Sequence, residues 1–166
     1  MKLTELDIQE DEIFTINKKD PLKYFLTAED TKLSKSVHCV VKYDYIDLGK
    51  TEYGFNQEFT PSETRMYFER MRLITTSTIN NLSDKAKELH LYRSPIKGNL
   101  RKVISRIYPE MIQSDPLIYH ISIESPSDNT EDVGRCPRIY FMLGTYGHIY
   151  ILFFDPYHKL NPVSIP

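Results

Sequence analysis

The sequence predicts an α+β domain: an antiparallel sheet with two or three helices packed on one face, preceded by an N-terminal arm. Three observations carry this. A complete helix start stands at Thr60-Pro61-Ser62-Glu63. Two strand-like runs flank Gly144-Thr145-Tyr146-Gly147 near the C-terminus and make a hairpin. The order along the chain is strand, then helices, then antiparallel strands.

The chain has 166 residues, the length of one domain with an extension. Residues 1–35 are polar, with apolar clusters at Ile13-Phe14 and Tyr24-Phe25-Leu26 and a turn at Pro21. They are expected to form an arm packed on a domain of residues 36–166. Residues 37–46 alternate, with Val37, Cys39, Val41, Tyr43 and Tyr45 on one face. This period of two, rich in β-branched and aromatic residues, predicts a strand. Asp47-Leu48-Gly49-Lys50 reads as a turn, and Thr51–Phe55 as a short returning strand.

Thr60 is placed to cap a helix, with Pro61 at its first position and Glu63 closing a capping box. Phe68, Met71, Thr75, Ile79 and Leu82 follow at three- and four-residue steps, which predicts a helix over 61–81 with that stripe buried. Arg65, Glu69 and Arg72 lie off the stripe. The run Thr75-Thr76-Ser77-Thr78 weakens the middle, because β-branched residues lose rotamers in a helix, and marks a site for a break. Asp84–Leu91 reads as a second short helix. Leu100, Val103, Ile104 and Ile107 give a third stripe, ended near Pro109, with Arg101, Lys102 and Arg106 projecting from its other side.

The last third reads as sheet. Leu117–Glu124 alternates, and residues 125–137 form a polar loop. Residues 138–143 and 148–154 are the hairpin strands. Asp155-Pro156 ends the second of them, since proline has no N–H for the ladder.

Charge is unevenly spread. Net charge is −2 overall, but residues 1–60 carry −4, residues 61–108 carry +6 and residues 109–166 carry −4. A basic middle suits a phosphate backbone or the chain's own acidic segments. The longest apolar run, Ile149–Phe154, is far short of the roughly 20 residues of a bilayer span, so no membrane contact is expected. Met1–Glu12 is acidic and unlike a signal peptide, which makes the cytoplasm the expected compartment. Cys39 and Cys136 make no disulfide framework and are expected to be thiols.

Phosphate loops, nucleophile elbows and HExxH are absent, and the His and Cys residues lack zinc-site spacing, so neither cofactor nor metal is expected. Chemistry-bearing residues concentrate in 135–161: Arg135, Arg138, Tyr140, His148, Tyr157, His158 and Lys159. Histidine, tyrosine, arginine and lysine without paired carboxylates suit metal-free RNA cleavage. His158 is the expected acid/base, since imidazole titrates near neutral pH. Arg138, Arg135 and Lys159 are expected to hold phosphate, and Tyr157 to position a base. Arg101, Lys102 and Arg106 would extend the RNA-binding track. A purely structural reading of the same turn has Asp155 capping it, Tyr157 packing its ring and His158 hydrogen-bonding a carbonyl.

The hairpin Arg138–Leu143 and His148–Phe154, with the Asp155-Pro156-Tyr157-His158 that follows, resembles the closing segment of uncharacterised short proteins of bacterial genomes and mobile elements. It is also similar to the last strands of the RelE/ParE-like toxin superfamily. That second resemblance covers the C-terminal third and implies a toxin-type ribonuclease or RNA-binding domain, with Arg138, Tyr157 and His158 at its site. An alternative expectation comes from 12 tyrosines and the alternating charge blocks: a non-catalytic interaction module, such as a phage-defence accessory or antitoxin-type partner, with another protein bound. A helix-turn-helix reading of 61–107 is weakened by its long connector.

Overall fold

A computed structural model describes residues 36–124 and 135–162. The expected arm, residues 1–35, and most of the polar loop expected over 125–137 lie outside the described residues. The fold class is α+β, as the sequence predicts. Five strands form one sheet: β1 (Val40–Lys42), β2 (Tyr92–Arg93), β3 (Ile118–Ser122), β4 (Arg138–Leu143) and β5 (His148–Asp155). Their spatial order is β1-β5-β4-β3-β2. All neighbours are antiparallel except β1, which runs parallel to β5 with Val41 opposite Ile149.

Helix α1 (Pro61–Thr75) starts where its capping box places it. The Glu63 backbone N–H donates to Thr60 Oγ1 at 3.1 Å, and the Thr60 N–H donates to Glu63 Oε2 at 2.9 Å. Such a cap is worth roughly 1 kcal/mol. The threonine run divides the expected 61–81 helix. Thr75 and Thr76 hydroxyls donate to the carbonyls of Met71 and Arg72, and Thr78 caps a separate helix, α2 (Ile79–Asp84). The expected buried stripe is also rotated. Met66, Met71 and Ile74 are buried, while Phe68 is 65% exposed. Met66, Arg70 and Ile74 recur at four-residue steps, and the hydrophobicity of Phe68 alone does not report this phase.

Other expectations differ from the structure as well: the strand expected over 37–46 is regular only at Val40–Lys42. The helix expected over Asp84–Leu91 is a chain of turns, with Leu89 N–H bonded to Lys85 O and Leu91 N–H to Ala86 O, and it ends at His90 with φ +46°. The strand expected over Thr51–Phe55 is an aspartate-centred loop. Buried Asp47 accepts from the backbone N–H of Gly49 and Lys50 at 3.2 and 2.7 Å and from the Thr51 hydroxyl. Gly54 is required there, since a Cβ would lie 2.6 Å from the Gly49 nitrogen. The loop is stapled along β5 by Asp47 N–H to Leu152 O and Phe154 N–H to Tyr53 O.

The stripe at 100–107 forms α3 (Gly98–Ile107), and Pro109 opens a further helix, α4 (Pro109–Ser114). Side chains alternate across a strand, so each face of the sheet collects its own core. Ile139, Phe141, Ile149 and Ile151 pack with Met66, Ile74 and Leu82 of α1 and α2, which divide the helix expected over 61–81. Ile118, Tyr140, Met142 and Leu152 pack with Leu100, Ile104 and Met111 of α3 and α4, a second covering the sequence pattern does not announce. Near-continuous burial of β4 and β5 follows from this double cover. A register shift at Tyr140/Phe141 lets Leu152 and Phe153 join the same core. Among the described residues no helix is long and apolar enough to cross a membrane.

Candidate functional site

The face covered by α3 and α4 changes character along its strands. Ile118, Tyr140 and Met142 lie under the helices. The same face continues on β3 as His120 and Ser122 and on β4 as Arg138, where Ser122 pairs with Arg138 and His120 with Tyr140. The polar end of the face opens into a cavity of about 340 Å³. Its walls include His90 and Tyr92 before and on edge strand β2, His120 and Arg138 on the central strands, and His158 and Asn161 after β5.

His158 reaches the cavity because the turn after β5 is pinned at several points. Buried Asp155 accepts from the Tyr157 and Leu160 backbone N–H groups at 3.2 and 2.7 Å. The Cys136 N–H donates to Pro156 O, and Leu160 is buried in the α3/α4 core. Between these anchors His158 adopts φ +53°, a left-handed conformation that costs a non-glycine residue free energy. His90, on the opposite rim, is left-handed as well.

Arg138 is 6% exposed. Its Nη1 donates to Ser122 Oγ at 3.1 Å and to Pro137 O at 2.9 Å, and pairs with Glu124 Oε1 at 3.2 Å. Among the described residues its buried Nε has no hydrogen-bond partner, nor has the buried Nε2 of His158. Buried polar groups are nearly always bonded, so two orphans on residues that line one cavity single that cavity out. The Tyr140 hydroxyl is the third such atom; it feels the Asn161 backbone without a bond of good geometry.

His120 and His158 lie with ring centroids 5.1 Å apart. Burial, then the neighbouring His158, Arg138 and His90, hold His120 down at about 4. His158 is also lowered, first by burial and then by Arg138, against the opposing pull of Asp155 and Glu124. Both shifts favour the neutral form of the imidazole. Burial pushes the Cys136 thiol up to about 11, which makes it a poor nucleophile.

The structure brings together Arg138 and His158 of the residues singled out from sequence. Tyr157, 45% exposed, stands outside the cavity walls, with Lys159 Nζ 4.9 Å and Arg135 Cζ 5.6 Å from its ring centroid. Arg135 is committed elsewhere: its Nη2 donates to Glu63 Oε2 at 2.8 Å and to Glu58 O at 2.9 Å, and its Nε to Glu63 Oε1. Arg101, Lys102 and Arg106 are exposed on α3, and the last two border a separate depression with Glu52 and Tyr53. His148 begins β5, on the order of 20 Å from its far end.

His90, Tyr92, Ser94 and His120 are site residues that the sequence did not single out. The available signal was on β3, where His120 and Ser122 continue the face begun by apolar Ile118. Among the described residues, no three His, Cys, Asp or Glu side chains converge closely enough to hold a metal ion. No protein-family model, no curated protein and no solved structure matches the chain.

Proposed function

We propose that the chain is a metal-independent ribonuclease of the RelE-like toxin type, or an RNA-binding domain derived from one, acting in the bacterial cytoplasm at the His120–Arg138–His158 cavity. The observation that carries this reading is that Arg138 and His158 line one cavity, and that among the described residues a buried nitrogen of each, Nε and Nε2, has no partner. A guanidinium held through Nη1 by Ser122, Pro137 and Glu124 suits a phosphate oxygen at its remaining donors. A neutral imidazole beside it suits removal of the ribose 2′-hydroxyl proton. The 2′-oxygen then attacks phosphorus, the 5′-oxygen leaves, and rim histidine His90 or solvent returns a proton to it. Arg138 steadies the charge that builds on phosphate. In this reading Tyr157, Lys159 and the basic face of α3 contribute to RNA binding away from the reacting atoms.

The test is cleavage of single-stranded RNA by purified protein in EDTA. His158→Gln is expected to lower cleavage about 100-fold or more, and Arg138→Lys to weaken it without unfolding the chain. Wild-type rates from a folded His158→Gln protein would end the mechanism.

A second reading is favoured by a different place on the fold. Val40, Tyr43 and Phe68, each more than 40% exposed, lie on or beside edge strand β1 and on α1, and the Tyr67 and Tyr43 hydroxyls bond at 3.1 Å. An exposed apolar patch along a strand edge suits a non-catalytic interaction module, such as a phage-defence accessory or an antitoxin-type partner. A stable complex that survives His158→Gln but not Tyr43→Asp, with RNA left intact, would favour this reading over the first.

A further inference from the structure

The cavity has an aromatic rim that the reading above leaves without a role. Tyr92 is the partner of His120 across β2 and β3, and His120 is the partner of Tyr140 across β3 and β4. Directly opposed residues point to the same face of a sheet. The rings therefore form a row, with Tyr92 and His120 centroids 6.0 Å apart and His120 and Tyr140 centroids 5.4 Å apart. Phe153, the partner of Tyr140 on β5, continues it.

The row grades from core to solvent. Phe153 and Tyr140 are fully buried and His120 is 5% exposed, whereas Tyr92 is 47% exposed. Packing explains the inner rings. It does not explain an open tyrosine on the terminal strand of the sheet, lining the same cavity as Arg138 and His158. His90 stands edge-on to Tyr92, with ring centroids 6.4 Å apart and planes at 70°, so it props the ring without stacking flat against it.

We propose that Tyr92 is a stacking platform for a nucleobase, so that the cavity takes one unpaired nucleotide, its phosphate at Arg138 and His158 and its base on Tyr92. This rests on the phosphate-binding reading of the cavity. An aromatic ring beside phosphate donors is how proteins hold single strands, because every base has a face to stack. At about 340 Å³ the cavity is at the lower end of small-ligand sites and does not admit a duplex. A base stacked in a duplex has no face to offer Tyr92, so selectivity for single strands follows from the same geometry. The neutral His120 beside the ring brings no competing charge to the base.

The test compares three probes on the full chain by calorimetric titration: inorganic phosphate, ribose 5-phosphate and adenosine 5′-monophosphate. The nucleotide is expected to bind roughly 10- to 100-fold tighter than ribose 5-phosphate. Tyr92→Leu, which keeps apolar bulk but has no ring, is expected to abolish that preference, so that the two sugar phosphates bind alike, and Tyr92→Phe is expected to retain it. Equal binding of the two sugar phosphates, or a preference that survives in Tyr92→Leu, overturns the platform and leaves the phosphate site standing. Failure of all three probes to bind overturns the phosphate site and the platform with it.

Discussion

Ser94 Oγ and His120 Nδ1 share a hydrogen bond of 2.7 Å, with both residues almost wholly buried, at the back of the cavity wall. The bond fixes which imidazole nitrogen of His120 faces inward. Ser94 is 1% exposed and so reaches no ligand itself; it positions the ring.

Ser94→Ala should leave His120 Nδ1 buried without a partner, at a cost of about 1–3 kcal/mol. Urea denaturation measures it. An unchanged midpoint with an unchanged slope would mean that the ring finds another partner.

Stability should depend on pH through the same histidine. His120 is held at about 4 in the folded chain, below its ordinary 6.5, so the unfolded chain binds the proton more readily. The contribution is fully present above about pH 6.5 and is lost as pH falls from there toward 4. At the acid end the loss is roughly 3 kcal/mol. Denaturation at several pH values should show this slope in the wild-type chain and a flatter one in His120→Gln. His158, lowered as well, acts in the same direction.

Glu63 serves two structures at once. It closes the α1 capping box and receives Arg135, with side-chain exposures of 5% and 11% for the pair. Glu63→Ala should cost about 3 kcal/mol or more, because it strands a largely buried guanidinium. Arg135→Ala added to it should cost little further. A double-mutant cycle reads the coupling, and additive losses would show that the cap alone matters.

Phe154 is fully buried, and its ring stacks on Phe59 with centroids 4.0 Å apart and planes 15° from parallel. Phe154→Ala should cost about 3–5 kcal/mol, whereas Phe68→Ala, at an exposed position, should stay within about 0.5 kcal/mol. Paired thermal melts distinguish the two. Equal losses would mean that the Phe68 ring is packed as closely as that of Phe154.

Local grammar was legible where a few neighbouring residues decide the outcome. The capping box at Thr60–Glu63, the break at the threonine run, the stripe at Leu100–Ile107 and the C-terminal hairpin are each written within about twenty residues. Capping, rotamer loss and periodicity act over that range. The α+β class and the presence of Arg138 and His158 at one site were also within reach of the sequence, since the hairpin and the turn that follow each other in the chain are adjacent in space.

Tertiary structure decided the rest. Which side of α1 is buried depends on the sheet it meets, so Phe68 turned outward and Arg70 inward, its Nε donating to Ser122 O at 3.0 Å. The parallel pairing of β1 with β5 joins segments over a hundred residues apart and leaves no local trace. Arg135 looked like a phosphate ligand by type and position, yet Glu63, 72 residues away, holds it. His120, His90 and Tyr92 became cavity residues only because β2, β3 and β4 pair in one register. By itself the sequence determined the elements whose signals are short in range and the residue types available for chemistry. Folding decided which of those residues share a cavity and which are spent on packing, because that depends on contacts between segments whose separation along the chain carries no pattern.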